Sequence, residues 1–98
     1  MAVLTWLNES VLAFHCPGCE CMHGLHINKP NYDNGAQWTW NGNYDKPTFN
    51  PSVHVWYERG GVRTTSCHCW VRDGMIEFLG DSSHSLAGTT VPMVDVDA

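Results

Sequence analysis

Positive charge is scarce in this chain. Five Lys and Arg occur among 98 residues, at Lys29, Lys46, Arg59, Arg63 and Arg72, and they are scattered along it. No basic stripe exists to neutralise a phosphate backbone, so nucleic acid is not expected as a partner. The net charge of −5 suits a basic partner surface better. Long apolar runs are missing too. None approaches the ~20 residues that a membrane span needs, and no membrane association is expected. The opening Met1-Ala2-Val3-Leu4-Thr5-Trp6 has no basic stretch ahead of an apolar one. This argues against a secretory signal and makes the cytoplasm the expected compartment. No helical period of apolar residues, internal repeat or linker interrupts the pattern. A single domain is expected over residues 1–98, small enough to need a staple such as a metal.

Punctuation, by contrast, is dense. Asn41-Gly42, Gly60-Gly61 and Asp73-Gly74 cut the chain into short alternating pieces. Strands are predicted over Val3–Leu7, Val11–His15, Met22–Ile27, Gln37–Trp40, Ser52–Tyr57, Val62–Arg72, Met75–Leu79 and Thr90–Val94. Asn43–Pro51 is expected to be irregular, because Pro47 and Pro51 lack the N–H a ladder needs. Asp81 or Ser82 can cap one helical turn closed by Gly88. Asp95–Ala98 is expected to be a frayed tail. The predicted class is all-β, a small antiparallel sheet or partly open barrel pinned by one zinc, with at most one short helical turn.

The five cysteines are odd in number and fall in two groups, Cys16, Cys19, Cys21 and Cys67, Cys69. In a reducing cytoplasm such groups read as metal ligands before disulfides. Cys16-Pro17-Gly18-Cys19 is a zinc knuckle in outline. Pro17 fixes φ, Gly18 permits the positive φ that such a knuckle needs, and two thiolates converge from one reversal. A thioredoxin-like dithiol would need a helix after the motif, and Gly24 with His26-Ile27 does not read as one. On a strand, Cys67 and Cys69 face one side and His68 the other. The expected zinc ligands are Cys16, Cys19, Cys67 and His84. Cys69 can replace either of the last two, and Cys21 and His23 compete from just beyond the knuckle. His68 and Asp81 are candidates for a base beside the metal. The His-Glu-x-x-His and His-x-Glu zinc-enzyme signatures are absent, so a closed structural site is expected. Trp38 and Trp40 share a strand face and serve either as core or as a binding rim.

Taken in order, Cys16-Pro17-Gly18-Cys19, Trp38-Thr39-Trp40-Asn41-Gly42, Lys46-Pro47-Thr48-Phe49-Asn50-Pro51-Ser52, Cys67-His68 and Asp81 to His84 with Leu86-Ala87-Gly88 make a specific pattern. It resembles a family of small phage and prophage proteins of unassigned function, some of which carry the label ammonia monooxygenase. That resemblance implies Cys16, Cys19, Cys67 and His84 as a metal set, with His23, His68 and Asp81 as companions. Members of that family commonly have Cys where this chain has Ser82, and Ser or Tyr where it has Cys69. The expected function is a non-enzymatic zinc-binding phage protein that binds a host protein in the host cytoplasm, including factors of host defence. The alternative is a small zinc-dependent hydrolase with His68 or Asp81 as its base.

Overall fold

Alternating apolar and polar residues become strands wherever a tight turn returns the chain on itself. The computed structural model describes residues 2–96. In chain order its strands are β1 (Thr5–Trp6), β2 (Val11–Cys16), β3 (Cys21–His26), β4 (Thr39–Trp40), β5 (Phe49–Asn50), β6 (Val53–Arg59), β7 (Val62–Arg72), β8 (Met75–Phe78) and β9 (Thr90–Pro92). They form three antiparallel sheets, ordered β1-β2-β3, β4-β5 and β6-β7-β8-β9. The protein is all-β, as the sequence leads one to expect, and no closed barrel forms among the described residues.

The turns set the register. Gly60 and Gly61, at φ 60° and 80°, join β6 to β7, and Asp73 and Gly74, at φ 51° and 74°, join β7 to β8. Two successive positive φ values give the turn whose twist matches paired strands. The knuckle Cys16–Cys19 joins β2 to β3, with Glu20 N–H donating to the Cys16 carbonyl at 2.8 Å. Three local expectations change. The positive φ of the knuckle falls on Glu20, at 56°, and not on Gly18, which is instead the residue the His84 ring packs against. Phe49–Asn50, expected to be irregular, pairs with β4, because only two residues are needed between Pro47 and Pro51. The expected helical turn after Asp81 is instead a pair of tight turns, closed by Ala87 N–H to His84 O and Thr89 N–H to Leu86 O. The frayed tail falls partly on Asp97 and Ala98, outside the described residues.

Strand alternation builds the core. Leu12, Phe14 and Cys16 on β2 share a face with His23 and Leu25 on β3, where Phe14 lies opposite His23 and Leu12 opposite Leu25. Val53, Cys67, Cys69, Val71, Ile76 and Phe78 come from the four-stranded sheet. The apolar members of both sets form one buried cluster, so the two sheets close over a shared interior. No helix among the described residues is long and apolar enough to cross a membrane.

The hairpin at Gly74 is the most crowded of these turns. A Cβ there would lie 3.1 Å from Lys46 Cα and 3.3 Å from the Asp45 carbonyl oxygen, whereas Gly61 faces open space. Both positions hold positive φ, which costs a residue with a Cβ about 1 kcal/mol. Gly74→Ala is therefore expected to destabilise more than Gly61→Ala, by a further ~1 kcal/mol or more from the backbone clash. Urea unfolding of both variants checks this; equal midpoints would refute it.

Candidate functional site

Two chemical clusters lie on opposite faces of β7, one residue apart. The inner one begins at Cys67, which the alternation of β7 turns into the core, where it is fully buried. Its Sγ lies 3.9 Å from Cys16 Sγ. The knuckle brings Cys19 to the same place, and the Cys19 N–H donates to Cys16 Sγ at 3.3 Å. His23, buried at 7% exposure, reaches in from β3 with its ring edge-on to Phe14. One donor atom from each of Cys16, Cys19, His23 and Cys67 lies within 4.8 Å of the others.

This arrangement lacks something if it holds protons alone. His23 Nε2 is buried with no hydrogen-bond partner, and an unpaired polar atom in the core costs 1–3 kcal/mol. The thiols also resist ionising beside one another. The contact with Cys67, and then burial, push the Cys16 thiol from its ordinary 9.0 up to about 12. Burial, and then the neighbouring Cys16, raise Cys19. For Cys67 the hydrogen bond to Cys16 pulls downward, but Cys69 and burial outweigh it and the thiol is raised. A cation among them removes both penalties: it accepts the orphaned nitrogen and lets several sulfurs become thiolates together. Cys16, Cys19, His23 and Cys67 are thus positioned to hold a metal ion.

The other candidates fall around this group. His84 packs its ring over Gly18, where even a Cβ would lie 2.5 Å from His84 Nε2. Its Nδ1 accepts the Leu86 N–H at 3.2 Å, so a neutral ring carries its proton on Nε2 and has no lone pair there for a metal. His84 Nε2 is buried and unpartnered in turn, and His84 and His23 border one recess of about 500 Å³ beside Cys19. Cys69 is buried beside Cys67, and Cys21 is exposed opposite Cys16 on β3. Trp38 and Trp40 are half-buried against the core. Trp40 meets Trp6 and Tyr44 edge-on, while the Trp38 indole N–H donates to the Ser52 carbonyl at 3.3 Å.

The outer cluster centres on His68, the residue after Cys67, which faces away from the core. Its Nδ1 lies 3.1 Å from Asp81 Oδ2 and its Nε2 lies 3.2 Å from Ser52 Oγ. With Nδ1 protonated toward the carboxylate, Nε2 offers its lone pair to the Ser52 hydroxyl. That is the tautomer in which an imidazole acts as base on a serine. Backbone pairing supplies the alignment. His54 pairs with His68 across β6 and β7, which sets Ser52, two residues before His54, on the same face. Leu79 N–H donates to the His68 carbonyl at 2.8 Å, and the chain then turns Asp81 beside the imidazole. The buried Ser82 hydroxyl accepts the His68 N–H at 3.0 Å and donates to the His68 carbonyl at 3.1 Å.

His68 and Asp81 are each legible in the sequence as a candidate base; Ser52 is not. It is one of six serines, and it lacks the Gly-x-Ser-x-Gly elbow that marks one class of nucleophile. Its position two residues before His54, in a hairpin that sets His54 against His68, is the signal that points to it.

A family model for BubE, the serine protease of a bacterial ubiquitination-like system, matches residues 2–79. The chain belongs to that family. The matched span includes Ser52 and His68 and ends before Asp81. It says nothing of phage proteins or of the motifs behind that resemblance. No curated protein and no solved structure matches the chain.

Two outcomes test the inner cluster. In cobalt(II) titrations followed by absorption, His23→Ala is expected to weaken binding by more than about 100-fold, beyond what a residue that merely buttresses a ligand contributes. His84→Ala is expected to change it less than about 10-fold; the reverse order would assign the nitrogen ligand to His84. The second outcome concerns pH. Cys16 keeps its proton to about 12 when folded and to 9.0 otherwise. A pKa raised by folding contributes stability that is complete below the unfolded value and lost as pH rises through the folded one. Thermal melts of the metal-free chain should therefore fall in midpoint above pH 9.0, toward 12. The loaded chain, with thiolates already formed, should lack that fall.

Proposed function

We propose that this chain, as a member of the BubE family, is a serine protease in which Ser52 is the nucleophile, His68 the base and Asp81 the group that holds His68 in place. The observation that carries the reading is the unbroken relay from Ser52 Oγ through His68 to Asp81, at 3.2 and 3.1 Å. Ser52 Oγ adds to the scissile carbonyl carbon while its proton passes to His68 Nε2. Asp81 stabilises the imidazolium through Nδ1–H without taking the proton. His68 then gives the proton to the leaving nitrogen, the C–N bond breaks, and an ester on Ser52 remains. Water attacks that ester with its proton moving to His68, and Ser52 leaves with a proton restored. The family's description ties it to a ubiquitination-like system. The bond proposed for cleavage is accordingly an amide between the terminal carbonyl of one protein and an amine.

In this reading His68 and Asp81 act on Ser52 and not on a metal-bound water, the role that the zinc-hydrolase alternative gave them. Zinc is the metal proposed for Cys16, Cys19, His23 and Cys67. Three soft sulfurs with one imidazole suit it, and four protein ligands fill a tetrahedron. Its proposed role is to tie the β2–β3 hairpin to β7, with a contribution on the order of 10 kcal/mol to folding.

A second proposal keeps the chain as a non-catalytic phage protein that binds a host protein in the host cytoplasm. Exposed Tyr57 and Val62, on one face of the β6–β7 hairpin near its turn, favour it, because exposed apolar residues on a shared face mark contact surfaces.

Ser52→Ala decides between the two. The protease reading expects a fluorophosphonate probe to label Ser52, identified by mass spectrometry. Hydrolysis should fall by at least ~10³-fold in Ser52→Ala and His68→Ala, and by about 10²–10⁴-fold in Asp81→Asn. Circular dichroism should be unchanged in Ser52→Ala. A chain that is never labelled, or a Ser52→Ala variant with full biological effect, would transfer the case to the binding protein.

A further inference from the structure

Two strand edges face each other next to Ser52 without pairing. β6 ends the four-stranded sheet and β3 ends the three-stranded one. Between them lies a cleft of about 390 Å³, walled on one side by Met22–His26 and on the other by Val53–Trp56, with Trp38 and Asn31 at its border. In an antiparallel strand bonded on one side only, every second residue turns its N–H and C=O away from the partner. On β6 those groups point toward the cleft, and among the described residues no further backbone hydrogen bond uses them. The cleft begins one residue from Ser52, and Trp38 holds the Ser52 carbonyl at that end. None of its lining residues is Lys, Arg, Asp or Glu, and its titratable members are His23, His26 and His54.

Resting on the serine-protease reading, we propose that the free edge of β6 is the docking site for the acyl side of the substrate, an uncharged extended segment that adds as a strand antiparallel to Val53–Trp56. Direction follows from geometry. β6 runs away from Ser52, so an antiparallel strand runs toward it and delivers its C-terminal carbonyl to Ser52 Oγ. Four residues of β6 give about 13 Å of edge at ~3.3 Å per residue, room for three or four substrate residues. The segment is read mainly through its main chain, as in other strand additions. The lining holds no carboxylate to pair with Lys and no Lys or Arg to pair with Glu, so either charge enters at a desolvation cost.

The test uses the intact chain and a fluorophosphonate that labels Ser52. Acetyl-Ala-Ala-Ala-alaninal, which closes reversibly on Ser52 Oγ as a hemiacetal, competes for that label. Single N-methyl groups are then placed on each interior amide, and single Lys, Glu or Val replacements at each interior residue. Protection by the parent peptide is expected, with a loss of at least about 10-fold for one or more N-methyl positions, alternating along the peptide. Lys and Glu should weaken protection by more than about 5-fold and Val by less than about 3-fold. Labelling that proceeds normally while no N-methyl group matters, or while the parent gives no protection, overturns the docking site alone. No labelling at all overturns the nucleophile assignment and the docking site with it.

Discussion

Strand β7 can turn Cys67 and Cys69 into the core only by turning His68 out of it. Successive side chains on a strand alternate, and this constraint couples the two clusters more tightly than any contact between them. The buried thiols set which face of β7 is inside. The imidazole is then left on the outer face, where Ser52 reaches it from just before β6 and Asp81 from the segment after β8. A slip of one residue in either pairing would exchange the faces and destroy both clusters at once. The Gly60-Gly61 and Asp73-Gly74 turns, each with two positive φ values, hold those registers from the two ends of β7.

The metal cluster and the relay are stabilised by different means. In the inner cluster the donors are buried and crowded, so the cost of leaving them without a cation is high and the gain from binding one is large. In the outer cluster Asp81 is 53% exposed and His68 25%. A hydrogen bond to a carboxylate so open to water contributes little to stability. The relay therefore does not hold itself together. Its alignment comes from β7 being fixed on three sides: by the ladder to β6, by the Leu79 bond at the end of β8, and by the Ser82 hydroxyl that closes on both backbone groups of His68.

Much of this was legible in the chain. Gly60-Gly61 and Asp73-Gly74 announced the hairpins on either side of β7, alternation announced strands, and Cys16-Pro17-Gly18-Cys19 announced a turn with converging sulfurs. What escaped is long-range. Ser52, His68 and Asp81 come from three elements, and no spacing rule links them, because such relays are defined by geometry and not by order. The histidine beside the thiols is instructive in the same way. His84 attracts notice because it stands on a polar loop after a strand. His23 hides within a strand, yet it shares a face with Leu25, and its cross-strand partner is Phe14. Reading β2 and β3 as one hairpin folded at the knuckle would have placed His23 on the same inner face as Cys16.

The position of the knuckle places the residues that can hold a metal ion directly behind the exposed relay. β2 bonds to β1 and to β3, and among the described residues neither β2 nor β3 bonds to β6, β7 or β8. Side-chain packing alone would leave the two sheets free to shift by small amounts across their shared interior, since apolar contacts are not directional. Coordination is directional: Cys16, Cys19 and His23 from one sheet and Cys67 from the other must meet one ion at fixed distances. That contact falls on the residue next to His68. A cation held there would fix β7 against the β2–β3 hairpin at the point where the base of the proposed relay is carried, and would fix the width of the cleft between β3 and β6 beside Ser52. The two clusters thus form one construction, in which the buried face supplies the rigidity that the exposed face needs and lacks.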